Sequence, residues 1–148
     1  MLETRVDIIN GLIKKYNYKK YLEVGVDDGT TFKKINVDYK LGCDPNKNAA
    51  THKMTSDAFF AQNKEMFDII FIDGLHLAQQ TLIDVINSFK VLNEGGVIVM
   101  HDCMPKEEWH QLEVAKPYND WTGTTWKAAM WLEKKADFLK EYWRSVYH

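Results

Sequence analysis

YLEVGVDDGTTF, residues 21–32, reads as a buried strand that runs into a glycine turn and then into a helix. Tyr21 to Val24 are apolar or aromatic apart from Glu23, Gly25 and Gly29 bracket the turn, and Thr30 begins a helical stretch to about Ile35. Strand, glycine turn and helix in that order form the opening unit of a doubly wound α/β sheet, where ligands bind outside the carboxyl ends of the strands. A tight turn with no ligand would use the same glycines. The residues downstream have to decide between the two.

Downstream, the same grammar repeats. DYKLGCD (38–44) is a second strand closed by the turn-forming pair Asp44-Pro45, and residues 52–55 suggest a short third strand followed by a helix capped by Ser56 or Asp57. FDIIFID (67–73) and VIVMHD (97–102) are nearly unbroken runs of apolar residues, the mark of strands covered on both faces. Between them Leu82, Val85, Ile86, Phe89 and Leu92 keep helical spacing, and Asn93-Glu94-Gly95-Gly96 reads as the helix C-cap. Upstream, Leu2, Val6, Ile9, Leu12 or Ile13, and Tyr16 trace one amphipathic helix. Strands alternating with helices give βαβ units, hence a parallel Rossmann-like sheet. Beyond Pro105 a polar, aromatic loop leads to a helix over 124–135, and a sixth strand is expected from about 139.

Composition bounds the rest. The 148 residues are 45% hydrophobic with five Trp, seven Tyr and seven Phe, which suits one folded domain spanning 1–148. A formal charge of −2 argues against general affinity for nucleic acid or anionic membrane. No apolar run reaches the roughly 20 residues that span a bilayer, and the amphipathic N-terminus is unlike a signal peptide, so a cytoplasmic protein is expected. Cys43 and Cys103 match no zinc or redox spacing. On strands two and five of a 3-2-1-4-5 sheet they would lie about 14 Å apart, too far for a disulfide, which needs Cα atoms within about 7 Å.

Asp44 bears on the turn. It ends the second strand about 20 residues on, where an acid accepts hydrogen bonds from ribose hydroxyls; a plain Asp-Pro turn is the simpler use of the same residue. Turn and acid together point to an adenosine-containing ligand. A dinucleotide would want glycine at positions 27 and 30, where this chain has Asp27 and Thr30. Asp27 and Asp28 would repel a pyrophosphate: two unit charges about 4 Å apart at an effective dielectric of about 20 interact by about 4 kcal/mol. S-adenosylmethionine carries adenosine, a sulfonium and an ammonium but no phosphate, and escapes that penalty.

LEVGVDDG, GCDPN, SDAFF, FDIIFIDGLH and LNEGGVIVMHDCMP, in this order over residues 19–104, resemble the class I S-adenosylmethionine-dependent methyltransferases. The likeness is nearest to the small group with FIDG-x-H and GGVI-x-x-HD after strands four and five, and WTGTTWKA (121–128) extends it weakly. The resemblance implies Glu23, Gly25, Asp27 and Gly29 around the methionine moiety, Asp44 with Pro45 and Asn46 at the ribose, Ser56 and Asp57 at the adenine, and Asp73 closing the donor pocket. It departs from the family in lacking the central glycine of the turn. The chain also ends where the last antiparallel strand would begin, so that strand is expected to be missing.

Asp73, His76, His101 and Asp102 follow strands four and five, which are neighbours in that order. Three uses are open. Asp73 and Asp102 could hold a divalent ion such as Mg²⁺ that lowers the pKa of an acceptor hydroxyl. His101 or His76 could be a metal-free general base. All four could instead be structural, Asp73 as a helix cap, His76 in that helix's first turn and His101 in the core. Trp109, Tyr118 and Trp121 suit either an acceptor pocket or the interior, whereas Trp126 and Trp131 read as core. The resulting expectation is O-methylation of a small molecule, a sugar or specialised metabolite, by in-line transfer from S-adenosylmethionine, and it is compatible with a homodimer. The rivals are a non-catalytic or truncated cofactor-binding or oligomerisation module, and an NAD or nucleotide-sugar enzyme.

Overall fold

The computed structural model describes residues 3–112, 114–115 and 121–135. Tyr118 and the strand expected from about 139 lie outside these residues. The chain divides into two compact units, Met1–Gly74 with Val91–His101, and Leu75–Lys90 with Asp102–His148.

The first unit is α/β. In chain order it holds helix α1 (Arg5–Tyr16), strand β1 (Lys20–Val24), helix α2 (Thr30–Lys34), strand β2 (Tyr39–Cys43), helix α3 (Ser56–Gln62), strand β3 (Phe67–Ile72) and, after α4 (Ala78–Lys90) of the second unit, strand β4 (Leu92–Met100). The four strands form one parallel sheet in the order β2-β1-β3-β4. This is the expected order with one strand fewer. Where a third strand was expected, a single parallel bridge joins His52 to Cys43. The segment is too polar to stay extended: Thr51 turns its hydroxyl onto the Gly42 carbonyl at 3.0 Å, and Thr55 leaves the strand to cap α3. That cap belongs to Thr55, whose Oγ1 accepts from the Ala58 N–H at 3.2 Å, and not to Ser56 or Asp57.

β1 shows why the apolar runs were readable. Tyr21 and Glu23 face one side, Leu22 and Val24 the other, and all four are buried. On the first side α1 lays Ile9 and Ile13 against Tyr21, Ile69 and Phe71, with Phe32 and Ile35 closing the same cluster. The start of α1 is pinned by a capping box in which Thr4 and Asp7 exchange hydrogen bonds, Thr4 N–H to Asp7 Oδ2 at 2.9 Å and Asp7 N–H to Thr4 Oγ1 at 3.2 Å.

Asn93–Gly96 is not a helix cap. α4 ends at Lys90, and these residues bulge out of β4, since the register jumps from Phe67↔Leu92 to Ile69↔Val97. Caps and bulges both use residues that tolerate positive φ (Gly95 has φ 75°), so composition alone does not tell them apart. Asp68 explains the choice. Its Oδ1 accepts from Asn93 Nδ2 at 2.8 Å, while Oδ2 accepts from the backbone N–H groups of Lys19 at 2.7 Å and Lys20 at 2.9 Å. Burial pushes this carboxyl up, but hydrogen bonds from Lys19, Asn93 and Lys20 together hold it below the usual carboxylate value. A lowered acid contributes stability that is complete above its ordinary pKa and is lost as pH falls through the folded value. Asp68→Ala is therefore expected to cost about 2–4 kcal/mol at neutral pH. Urea midpoints should show the gap to wild type closing in acid, as Asp68 itself becomes protonated.

The second unit contains α4, a short 3-10 helix (Glu108–Gln111) and a helical stretch over residues 125–135. Among the described residues no helix is long and apolar enough to cross a membrane. Trp126 is half-buried, but Trp131, expected in the core, is 41% exposed; its helix turns that face to solvent.

Candidate active site

The carboxyl ends of β1, β2, β3 and β4 carry the candidate residues of the first unit. β1 closes at Val24, and Gly25 turns the chain with φ 86° while its N–H donates to the Cys43 carbonyl at 2.9 Å. No other residue fits here: a Cβ on Gly25 would lie 2.1 Å from the Asp73 carbonyl oxygen and 2.6 Å from Gly74 Cα. Asp27 occupies the place of the missing glycine by adopting the glycine conformation, φ 49°, which Asp tolerates better than most residues. Its side chain does not fill the turn. It is 78% exposed and pairs with Lys47 Nζ at 2.9 Å. Asp28 Oδ1 accepts the Thr30 N–H at 2.8 Å, which holds its carboxyl below the usual range, and Gly29 enters α2 with φ 80°.

Both aspartates thus have local duties, and Lys47 offsets part of the negative charge expected to repel phosphate. Asp44 is tied into the same turn. Its Oδ2 accepts from the Asp27 N–H at 3.1 Å and its Oδ1 from the Asn46 N–H at 2.9 Å. One hydrogen bond per oxygen leaves acceptor capacity on both. Pro45 lies exposed beside it, and Ser56 and Asp57 form the first turn of α3.

Below the turn Glu23 is 1% exposed and accepts a short hydrogen bond from the Tyr21 hydroxyl. Burial, aided by the charge of Asp73, pushes its carboxyl up to about 7, against the pull of Tyr21, Arg5 and Lys40. Burial and Glu23 raise the Tyr21 phenol far above its ordinary value, so it stays a donor. A raised acid favours folding at low pH: the native state holds a proton that the unfolded chain has released above about pH 4.5. Stability is accordingly lost as pH rises from there to about 7, by on the order of 3 kcal/mol. Glu23→Gln keeps an acceptor for Tyr21 and removes the titration. It should be more stable than wild type at pH 8 and lose that advantage at pH 5, as read from thermal midpoints.

β3 and β4 end side by side, Ile72 paired with Met100, and deliver Asp73 and His101 to one place. Asp73 Oδ1 lies 3.3 Å from His101 Nδ1, and Asp73 Oδ2 accepts from Arg5 Nη1 at 2.8 Å. The same Arg5 nitrogen is 3.5 Å from His101 Nε2. Arginine only donates and a carboxylate only accepts, so the tautomer with the proton on Nδ1 and the lone pair on Nε2 suits these neighbours, although Nδ1 meets Asp73 at ion-pair distance rather than in a formed hydrogen bond. The Phe71 ring meets the imidazole edge-on, 6.1 Å between centroids. Arg5 was not foreseen. Its only sequence signal is a cation in the first turn of a helix, where the macrodipole favours anions.

The second unit holds His76 and Asp102. His76 Nε2 is 3.3 Å from Asp102 Oδ2, and Asp102 has φ 56°, a sterically costly conformation for a non-glycine residue. His76 precedes α4 rather than lying in its first turn. There the Trp121 ring sits 5.0 Å from the imidazole and Thr124 N–H donates to the His76 carbonyl at 2.9 Å. Gly123 is close enough that a Cβ would strike that carbonyl oxygen at 1.9 Å. Thr124 Oγ1 accepts the Ala78 N–H at 2.8 Å and so serves the start of α4, a role no local pattern announces. Trp121 donates Nε1 to the Leu112 carbonyl at 2.6 Å and Trp109 is 37% exposed. Cys43 and Cys103 form no disulfide, and burial, then the charge of Asp102, pushes the Cys103 thiol up to about 11.

A parallel sheet in this order, with a glycine turn after its first strand and an acid after its second, is a Rossmann-like doubly wound sheet. Residues 26–103, just over half of the chain, match the methyltransferase domain family, and the chain belongs to that family. No curated protein matches it. Among solved structures it is similar to a provisionally assigned caffeoyl-CoA O-methyltransferase from Staphylococcus aureus (TM-score 0.68, 16% identity, covering 92% of this chain and 76% of the other). It is also similar to an O-methyltransferase from Bacillus cereus in complex with SAH (TM-score 0.61, 14% identity, 90% and 70%). A third is an SAH-bound methyltransferase from Podospora anserina (TM-score 0.53, 14% identity, 95% and 71%). At such identities the likeness speaks for the fold; the chemistry has to be argued from the residues.

Proposed function

We propose that this chain is an S-adenosylmethionine-dependent O-methyltransferase for a small-molecule acceptor, with residues 1–148 acting as one domain. The observation that carries the reading is the joined turn, in which Gly25 has no room for a side chain, Asp27 turns its carboxylate outward to Lys47, and Asp44 is bonded to the Asp27 N–H. The inner wall is therefore backbone, and it fits the donor. Glu23, Gly25, Asp27 and Gly29 would surround its methionine end, Asp44 and Pro45 its ribose, and Ser56 and Asp57 its adenine. The SAH named for two of the structural neighbours, the demethylated form of this donor, supports the assignment.

Bound there, the donor supplies a methyl group on a positively charged sulfur, open to a single in-line displacement. The chain's work is positioning and proton removal. In the tautomer that leaves a lone pair on Nε2, His101 would accept the acceptor's hydroxyl proton, and Asp73, 3.3 Å from Nδ1, would steady the imidazolium that results. His76, oriented by Asp102 and Trp121, is the other candidate for the proton. The charge of −2 favours a small acceptor over nucleic acid.

Asp73 Oδ2 already has a permanent cation, Arg5, at 2.8 Å, which would compete with a divalent ion for that carboxylate. No step is assigned to a metal. Incubation with radiolabelled methyl donor and a panel of hydroxylated small molecules tests the whole proposal. Methyl incorporation into an oxygen that persists after exhaustive chelation is the expected result. Absence of transfer across the panel, together with absence of donor binding, would leave the non-catalytic module as the better account.

A further inference from the structure

Arg5 is oddly placed for a structural residue. It is the first residue of α1, enclosed by the Thr4–Asp7 capping box, so the helix presents it from a fixed point. A cation at a helix N-terminus opposes the macrodipole. Its pair with Asp73 does not explain the choice by stability, since the guanidinium side chain is 42% exposed, and half-exposed pairs contribute about 0–1 kcal/mol. Local rules are broken in this way most often where function requires it.

The donor inventory shows what is left over. Nη1 serves Asp73 at 2.8 Å and reaches His101 Nε2 at 3.5 Å. Among the described residues Nε and Nη2 have no hydrogen-bond partner. These two nitrogens form the side edge of the guanidinium, whose parallel N–H bonds match the two oxygens of a carboxylate. That edge belongs to the same planar group whose other end touches the candidate base. An anion bound to it would sit next to His101.

We propose that Arg5 is a specificity-determining residue that selects acceptors carrying a carboxylate near the methylated hydroxyl. The proposal rests on the methyltransferase reading, because the neighbouring His101 is taken there as the base. Asp73 anchors one end of the guanidinium, and the acceptor carboxylate takes the other in a bidentate pair. Neutral analogues lose that pair and leave the edge to water.

2,3-Dihydroxybenzoate and its methyl ester test it, because they share the same hydroxyls, one of them beside the carboxyl carbon, and differ only in the carboxylate. Calorimetric titration of each into the protein saturated with SAH should show the acid binding about tenfold more tightly than its ester. Arg5→Gln should abolish that preference, and Arg5→Lys, which keeps the charge but not the fork, should retain part of it. Equal affinity for the two probes in wild type, binding of neither at millimolar concentration, or an acid preference that survives in Arg5→Gln would each overturn the proposal. The wild-type comparison decides even if a variant fails to fold. A prior titration of SAH alone separates the two levels: lack of SAH binding sinks the methyltransferase reading, whereas the acid–ester comparison repeated without SAH still judges Arg5.

Discussion

Gly25→Ala is expected to lose about 3–5 kcal/mol of stability and with it donor binding, a cost at the upper end for a single methyl group. The new Cβ would stand 2.1 Å from the Asp73 carbonyl oxygen, 2.5 Å from its carbon and 2.6 Å from Gly74 Cα. None of these atoms can swing aside as a side chain would, because β1 and β3 are locked in register from Tyr21↔Ile69 to Val24↔Ile72. The backbone would also be strained at φ 86° whatever the space. Relief requires pushing Asp73 away, and Asp73 holds His101 and Arg5. Gly29→Ala is the informative comparison. It has a similar φ of 80°, but its Cβ meets Lys33 Cε at 3.3 Å, which can swing aside, and Ala49 Cβ at 2.8 Å, which can give only with the loop after β2 and not with a paired strand. Urea unfolding of the two variants should therefore place Gly25→Ala well below Gly29→Ala; equal losses would mean that conformation rather than the contact with Asp73 dominates.

His101→Gln should lower kcat by about 10²–10⁴-fold, the usual contribution of a positioned general base. Donor affinity should move far less, because the carboxylate that orients His101 is still held by Arg5. The corresponding substitution His76→Gln separates the two candidate bases. His76 is held by Asp102, Trp121 and the close approach of Gly123, so its loss should disturb the second unit and change KM more than kcat. Single-turnover rates with each variant give the answer. Retained chemistry in His101→Gln alongside its collapse in His76→Gln would transfer the base to His76.

β1 and β3 were legible because each is short, largely apolar and buried, whereas β2 and β4 are only partly buried and were legible from their place in the alternation of strands and helices. Gly25 was legible too, since strand end, glycine and helix start leave little choice of conformation. The third strand was overread: His52 makes one bridge, and Thr51 and Thr55 spend their hydroxyls on the backbone. Asn93–Gly96 was misassigned because the deciding partner, Asp68, lies 25 positions away in the chain. Arg5, Lys47 and Thr124 escaped for the same reason. Polar partners at long range obey no periodicity, and their signal exists only once the sheet has brought the strand ends together. Asp27 is the intermediate case. Its residue type looked like a departure from a glycine turn, and only its φ of 49° and its bond to Lys47 show that the turn is kept.

The central claim is that the joined turn of Gly25, Asp27 and Asp44 holds S-adenosylmethionine rather than a phosphate-bearing dinucleotide. Calorimetric titration of the wild-type protein with S-adenosylmethionine and, separately, with NAD tests it most directly, with Asp44→Ala as the third arm. Saturable binding of S-adenosylmethionine, at least about tenfold weaker in Asp44→Ala, and none of NAD is the predicted result. Binding of NAD with no heat from S-adenosylmethionine at millimolar concentration would contradict it.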